Sequence, residues 1–137
     1  APAPKMETGA GGEPGSTYAF GSSSPLIGTT PQSFTAEMVG GKKYSLNSDL
    51  GKVVVLDFWA TWCSPCVQAL PKIQRTIAQY PPDQVAFVAV NQEEDLEKIK
   101  AFLESRELKI PVALDSGEIG RQFRVDSLPQ TLIIDQD

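Results

Sequence analysis

Three runs of apolar residues set the frame of the chain. Val53-Val54-Val55-Leu56-Asp57-Phe58, extended to Trp59, and Val85 to Val90 within Gln84–Asn91 are almost without polar positions. Such runs suit strands covered by helices on both faces. Thr131 to Ile134 reads as a further strand. Between the first two, Val67 to Tyr80 has helical spacing, with Cys66, Leu70, Ile73 and Ile77 on one stripe. Pro71 lies inside that helix and should kink it, because proline removes one hydrogen bond and crowds the preceding turn. Pro81-Pro82 ends it. Asp95 to Leu108 reads as an amphipathic helix, with Leu96, Ile99 and Leu103 on one face and Phe102 beside them. Shorter pieces complete the pattern: a strand over Ser33–Met38, a turn at Gly40-Gly41, a return strand over Lys42–Leu46, a helical turn or loop at Ser48–Gly51, a strand over Pro111–Leu114 and a helix over Ile119–Val125.

The alternation of strand and helix is that of an α/β domain, and 137 residues give room for one. Its hydrophobic fraction of 41% is enough for a core. Residues 1–32 stand apart: Ala1 to Pro31 is rich in Gly, Pro, Ser and Thr, lacks periodicity, and reads as a flexible linker or tail preceding a domain over 33–137. Composition does not separate a spacer from plain terminal disorder. The net charge of −5, with no basic cluster, argues against a nucleic-acid partner. No apolar run approaches the length of a membrane span, so no membrane contact is expected of the chain itself. It starts at Ala1 without a signal peptide, as a processed protein or a fragment would.

The chemistry centres on Trp62-Cys63-Ser64-Pro65-Cys66, which holds the only two cysteines. The apolar strand delivers Cys63 to the mouth of the next helix, and Cys66 lies one turn inside. The first N–H groups of a helix lack intrahelical partners and carry partial positive charge. A thiolate there is stabilised, its pKa falls below about 8.5, and more nucleophile is present at neutral pH. Pro65 fits a first turn, where a missing N–H costs little. Cys63 is therefore the attacking thiol and Cys66 the resolving thiol. A zinc site is disfavoured, because zinc takes about four ligands and the chain has no other Cys and no His. No metal or other cofactor is expected. A purely structural disulfide is also a poor reading, since closing so short a loop removes little entropy from the unfolded chain.

Asp57 interrupts the first strand on the face it shares with Val53, Val55 and Trp59. Burial beneath the cysteine-bearing helix would raise its pKa and let it shuttle a proton for Cys66; a carboxylate reaching water at a strand end is the competing reading, and position alone does not decide. The charges Glu93, Glu94, Asp95 and Glu97 gather at the start of a helix, where they complement its dipole. They read as solvated capping charge, because no compact metal-ligand spacing is present.

Asp57-Phe58-Trp59-Ala60-Thr61-Trp62-Cys63-Ser64-Pro65-Cys66, with Pro71 downstream, resembles the thioredoxin superfamily. Ser45-Leu46-Asn47-Ser48-Asp49-Leu50-Gly51-Lys52-Val53-Val54-Val55-Leu56 is similar to its TlpA/ResA-type branch of exported thiol–disulfide oxidoreductases, and Ser127-Leu128-Pro129-Gln130-Thr131-Leu132-Ile133-Ile134-Asp135 resembles that branch's cis-proline segment and following strand. The resemblance runs from about Phe34 to the last residue. It implies a thioredoxin-like fold: a central mixed sheet flanked by helices, with an N-terminal hairpin and an inserted strand–helix piece. It favours a catalytic role for Asp57, a cis Leu128–Pro129 bond, and pairing of an extended substrate with the backbone of Leu128 beside Pro129. Trp62, Ser64 and Pro65 would complete the substrate surface; Trp59 and Trp62 could equally pack a core. The implied partners are protein thiols and disulfides and an upstream redox donor. The implied location is the periplasm or another exported site, often with a membrane tether upstream.

The chain departs from the family in three places. Ala69 stands where the branch usually has a glutamate, so the acid function is expected to have moved to Asp57. Val88-Ala89-Val90 leaves no lysine to partner Asp57 as in thioredoxin. The family normally continues past this chain's last residues with another strand and a final helix, whose absence would leave a sheet edge and one sheet face bare. The expected function is thiol–disulfide exchange with protein substrates, mainly in the reducing direction. The alternatives are a binding module that keeps the fold without turnover, and a thiol peroxidase, against which the CxxC pair argues.

Overall fold

A computed structural model describes residues 17–20 and 28–136. Its elements are β1 (Thr17–Phe20), β2 (Thr35–Met38), β3 (Lys43–Ser45), a 3₁₀ turn (Leu46–Asp49), β4 (Val53–Trp59), α1 (Ser64–Ile77), β5 (Val85–Gln92), α2 (Leu96–Ser105), β6 (Val112–Asp115), α3 (Glu118–Gln122) and β7 (Gln130–Ile134). They form one seven-stranded mixed sheet in the order β1-β7-β4-β5-β6-β2-β3. The core β4, β5 and β6 pair in parallel, and the remaining pairings are antiparallel. The hairpin β2–β3 and the piece β6–α3 stand where the sequence pattern placed them.

All seven residues of β4 are buried. They divide between the faces by alternation. Val54, Leu56 and Phe58 pack with Leu46, Ile119 and Phe123 on one side. Val53, Val55 and Trp59 pack with Cys66, Leu70 and Ile99 on the other. Both crossovers, β4–α1–β5 and β5–α2–β6, step in the same direction across the sheet. Parallel crossovers share one handedness, so α1 and α2 must cover the same face, and both contribute to the second cluster. Helix α1 begins three residues earlier than periodicity suggests and runs through Pro71.

Two expectations are corrected. The linker reading of residues 1–32 does not hold for Thr17–Phe20, which pairs antiparallel with β7 from Thr17↔Ile134 to Phe20↔Thr131. Thr, Tyr and Phe favour strands, but four such residues between Gly- and Ser-rich flanks carry no readable period. The other residues of that stretch up to 27 lie outside the described residues. The β7 edge expected to stand bare is therefore occupied by β1, and Val54, Leu56, Leu132 and Ile134 are all fully buried, so that face is not bare either.

Asp115 organises the entry to α3. Its Oδ1 accepts the N–H groups of Gly117 and Ile119 at 2.9 Å each, and Oδ2 accepts that of Gly120 at 2.8 Å and Gln92 Nε2 at 3.1 Å. Gly117 supplies the positive φ of 115° that bends the chain around this carboxylate. Asp115→Ala would leave these buried donors unsatisfied and should cost about 2–4 kcal/mol, read as a lower urea midpoint with unchanged slope.

Candidate active site

Cys63 ends the loop from β4 and is the N-cap of α1, with extended backbone at φ −91° and ψ 98°. Its Sγ accepts the backbone N–H of Cys66 at 3.3 Å. The two sulfurs are bonded, with Cα atoms 5.3 Å apart. Both cysteines are buried, whereas their neighbours Ser64 and Pro65 are exposed. Pro65 sits in the first turn, where no intrahelical N–H is required. A sulfur receiving an N–H at a helix N-terminus is one whose thiolate is favoured.

The two tryptophans separate. Trp59 is fully buried and packs on Phe102 with ring centroids 5.7 Å apart. Trp62 is 70% exposed. It forms one wall of a shallow groove of about 300 Å³, whose other walls are Gln92, Glu93 and the segment from Val125 to Leu128. The Leu128–Pro129 peptide bond is cis. Leu128 is half-buried and Pro129 exposed.

Asp57 is 1% exposed. In register it lies between Ala89 on β5 and Thr131 on β7. Thr131 Oγ1 donates to Asp57 Oδ1 at 2.8 Å, while Oδ2 is buried without a hydrogen-bond partner among the described residues. Burial pushes the carboxyl up to about 7, against a smaller downward pull from the Thr131 hydroxyl.

Glu94 is the residue that sequence reasoning misplaced. Its side chain is 5% exposed and not solvated. Oε1 accepts the Thr61 N–H at 2.7 Å and Asn91 Nδ2 at 2.8 Å; Oε2 accepts the Thr61 hydroxyl at 2.5 Å and lies 3.3 Å from Lys98 Nζ. Burial alone would raise its pKa, but the donors from Thr61, Asn91 and Lys98 outweigh it and hold the carboxylate below its ordinary range. Glu94 thus ties the loop before Cys63 to the turn between β5 and α2. Glu93 and Asp95 are exposed, and Asp95 occupies the N-cap of α2 without a side-chain cap bond. Among the described residues, no group of three or more His, Cys, Asp or Glu is arranged to hold a metal ion, and no helix is long and apolar enough to cross a membrane.

A CxxC disulfide at the head of the first crossover helix, in a mixed sheet of this order, defines a thioredoxin-like protein. The chain belongs to the AhpC/TSA family, which it matches over residues 27–137. It is 37% identical over 106 residues to the thioredoxin-like protein YneN of Bacillus subtilis, covering 75% of this chain and 62% of that one. It is 36% identical over 112 residues to the thiol–disulfide oxidoreductase ResA of Bacillus thuringiensis, covering 81% and 65%. The chain thus spans a little under two thirds of the length of these curated relatives. Among solved structures, StoA from Bacillus subtilis superposes with a TM-score of 0.67 at 27% identity, covering 77% of this chain and 81% of that one.

The Glu94 network generates a stability prediction. Glu94→Gln keeps the shape but removes the charge and one acceptor, and should destabilise the protein by about 1–3 kcal/mol at pH 7. The folded pKa lies below 4.5, so the stabilisation is present above that value and is lost as the pH falls through the folded pKa. Urea melts of both proteins should converge in acid; a constant gap from pH 7 to pH 3 would contradict the assignment.

Proposed function

We propose that the chain is a thiol–disulfide oxidoreductase acting on protein substrates, most readily as a reductant. The observation that carries this reading is the Cys63 sulfur at the α1 N-terminus, receiving the Cys66 N–H beside the Trp62 groove. In the reduced protein the Cys63 thiolate attacks a substrate disulfide, forming a mixed disulfide and releasing one substrate thiolate. Asp57 takes the Cys66 proton. The Cys66 thiolate then attacks Cys63 Sγ, forming the Cys63–Cys66 bond and expelling the second substrate thiolate. The substrate gains two electrons, and the protein's dithiol is oxidised to the disulfide. An upstream dithiol donor restores it.

Trp62, Ser64, Pro65, Leu128 and Pro129 form the substrate surface in this reading. Trp62 offers exposed apolar area, and the Leu128 backbone lies at the other wall of the groove for an extended segment to pair with. The relatives' printed names, thioredoxin-like protein and thiol–disulfide oxidoreductase, support the reaction class. An exported location, with a tether upstream of the domain, fits a pair that cycles against disulfides, since disulfides persist in oxidising compartments.

Cys63→Ser should abolish reduction of insulin disulfides, and Cys66→Ser should accumulate mixed disulfides visible on non-reducing gels. Full activity in the Cys63 variant would overturn the assignment. Equilibration across a thiol/disulfide buffer series, followed by tryptophan fluorescence, should show a reversible two-electron transition. A midpoint near about −270 mV marks a reductant and one near about −120 mV an oxidant; no transition in the folded protein would leave a binding module.

Asp57→Asn should slow the resolving step by about 10²-fold, the lower end for a lost general base. It should also change stability with a definite sign. The folded state raises this group from 3.8 to about 7, so the folded protein holds the extra proton between those values. Stability is greatest below pH 3.8 and declines as the pH rises through 7, by up to roughly 4 kcal/mol. The Asn variant should lack that decline and be the more stable protein at pH 8 in thermal melts.

A further inference from the structure

Asp57 sits in a layer that offers it almost nothing. Ala89, opposite it on β5, carries no donor. The α1 and α2 side chains on that face, such as Leu70, Ile99 and Phe102, are apolar. The cluster on that face holds Cys66 of α1 and Cys63 at its N-cap, both titratable when reduced, and Tyr80, beyond the helix, packs against it. Among the described residues, burial and the Thr131 hydroxyl are the causes that set its acidity. Thr131 is directly opposite on β7 and shares the α1 face with Ile133 by alternation. Its hydroxyl can donate to a carboxylate and, by rotating, accept from a carboxylic acid. It can therefore serve Asp57 in both protonation states without moving the backbone.

We propose that Thr131 is a positioning residue for proton transfer: its hydroxyl fixes Asp57 Oδ1 and stabilises the carboxylate, leaving Oδ2 as the oxygen that takes the proton from Cys66. This rests on the reading of Asp57 as the base for Cys66. Among the described residues the Thr131 hydroxyl is what opposes desolvation of Asp57, and without it less carboxylate is present at the pH where it must accept a proton. The strand that carries the Leu128–Pro129 segment into the sheet thus also sets the basicity of the group beneath the cysteines.

The test uses Thr131→Val and Thr131→Ser in the whole chain, each alone and with Asp57→Asn. Asp57 is titrated in the oxidised protein by ¹³C-carboxyl NMR, and the pH profile of single-turnover disulfide reduction is measured in parallel. Thr131→Val should move the Asp57 midpoint and the kinetic inflection upward together by about one unit, a tenfold change in the acid constant. From a starting value of about 7 this lowers the single-turnover rate at pH 7 by about fivefold. Thr131→Ser should restore both, and the double variant should behave as Asp57→Asn alone. An unmoved Asp57 midpoint in Thr131→Val, with Asp57→Asn still erasing the inflection, overturns the role of Thr131 and leaves Asp57 in place. An inflection that survives Asp57→Asn overturns both. If Thr131→Val does not fold, Thr131→Ala removes the same donor and carries the same expectation.

Discussion

The backbone N–H of Cys66 has no helical acceptor, and the Cys63 sulfur takes it. Much of the architecture serves to hold that contact. A helix N-terminus offers unpaired donors and partial positive charge only over its first turn, so the sulfur must arrive at the N-cap with extended backbone. Strand β4 meets that requirement by being enclosed. It is buried along its full length, paired on both sides by β5 and β7, and packed on both faces. The short loop from Ala60 to Trp62 leaves the end of that strand, and the Thr61 bonds to Glu94 anchor it.

The same burial that steadies β4 makes Asp57 expensive. An ionised carboxylate on a strand with an apolar helix above it loses its hydration, and one hydroxyl does not replace it. A carboxylate kept only for stability would be better exchanged for an apolar residue of similar volume. Its retention next to the helix that carries both cysteines fits a chemical use.

Local pattern made much of this legible. The buried runs of β4 and β5, the helical stripe Cys66–Leu70–Ile73–Ile77 and the CxxC spacing are properties of neighbouring residues, and they locate the sheet centre and the sulfur pair. What escaped depends on residues far apart in the chain. Glu94 looks like capping charge because it sits among acids at a helix start; only the fold shows that Thr61, 33 positions earlier, points its donors at it. Thr131 looks like an ordinary strand threonine until β7 is laid against β4 in the register that opposes it to Asp57. Strand β1 escaped because its four residues acquire meaning only from the β7 edge, more than a hundred positions later. The apolar stripe of α1 alone starts the helix three residues late, because Ser64 and Pro65 form a capped first turn that periodicity does not register; the CxxC spacing and Pro65 supply that turn.

Asp57, on the strand before the cysteine pair, and Glu94, bonded to the loop before it, have surroundings that push them in opposite directions. Glu94 is met by a backbone N–H, a hydroxyl, an amide and an ammonium. Its pKa is held below the ordinary carboxylate range, so it is ionised at neutral pH and its bonds tether the loop before Cys63. Asp57 is met by one hydroxyl and is otherwise desolvated. Burial pushes its carboxyl up to about 7, close to neutral pH. Groups driven apart in this way divide between holding the site and running its proton chemistry. Had the donors around Glu94 been placed on Asp57, its carboxylate would be held ionised below neutral pH, and the base proposed for Cys66 would be lost.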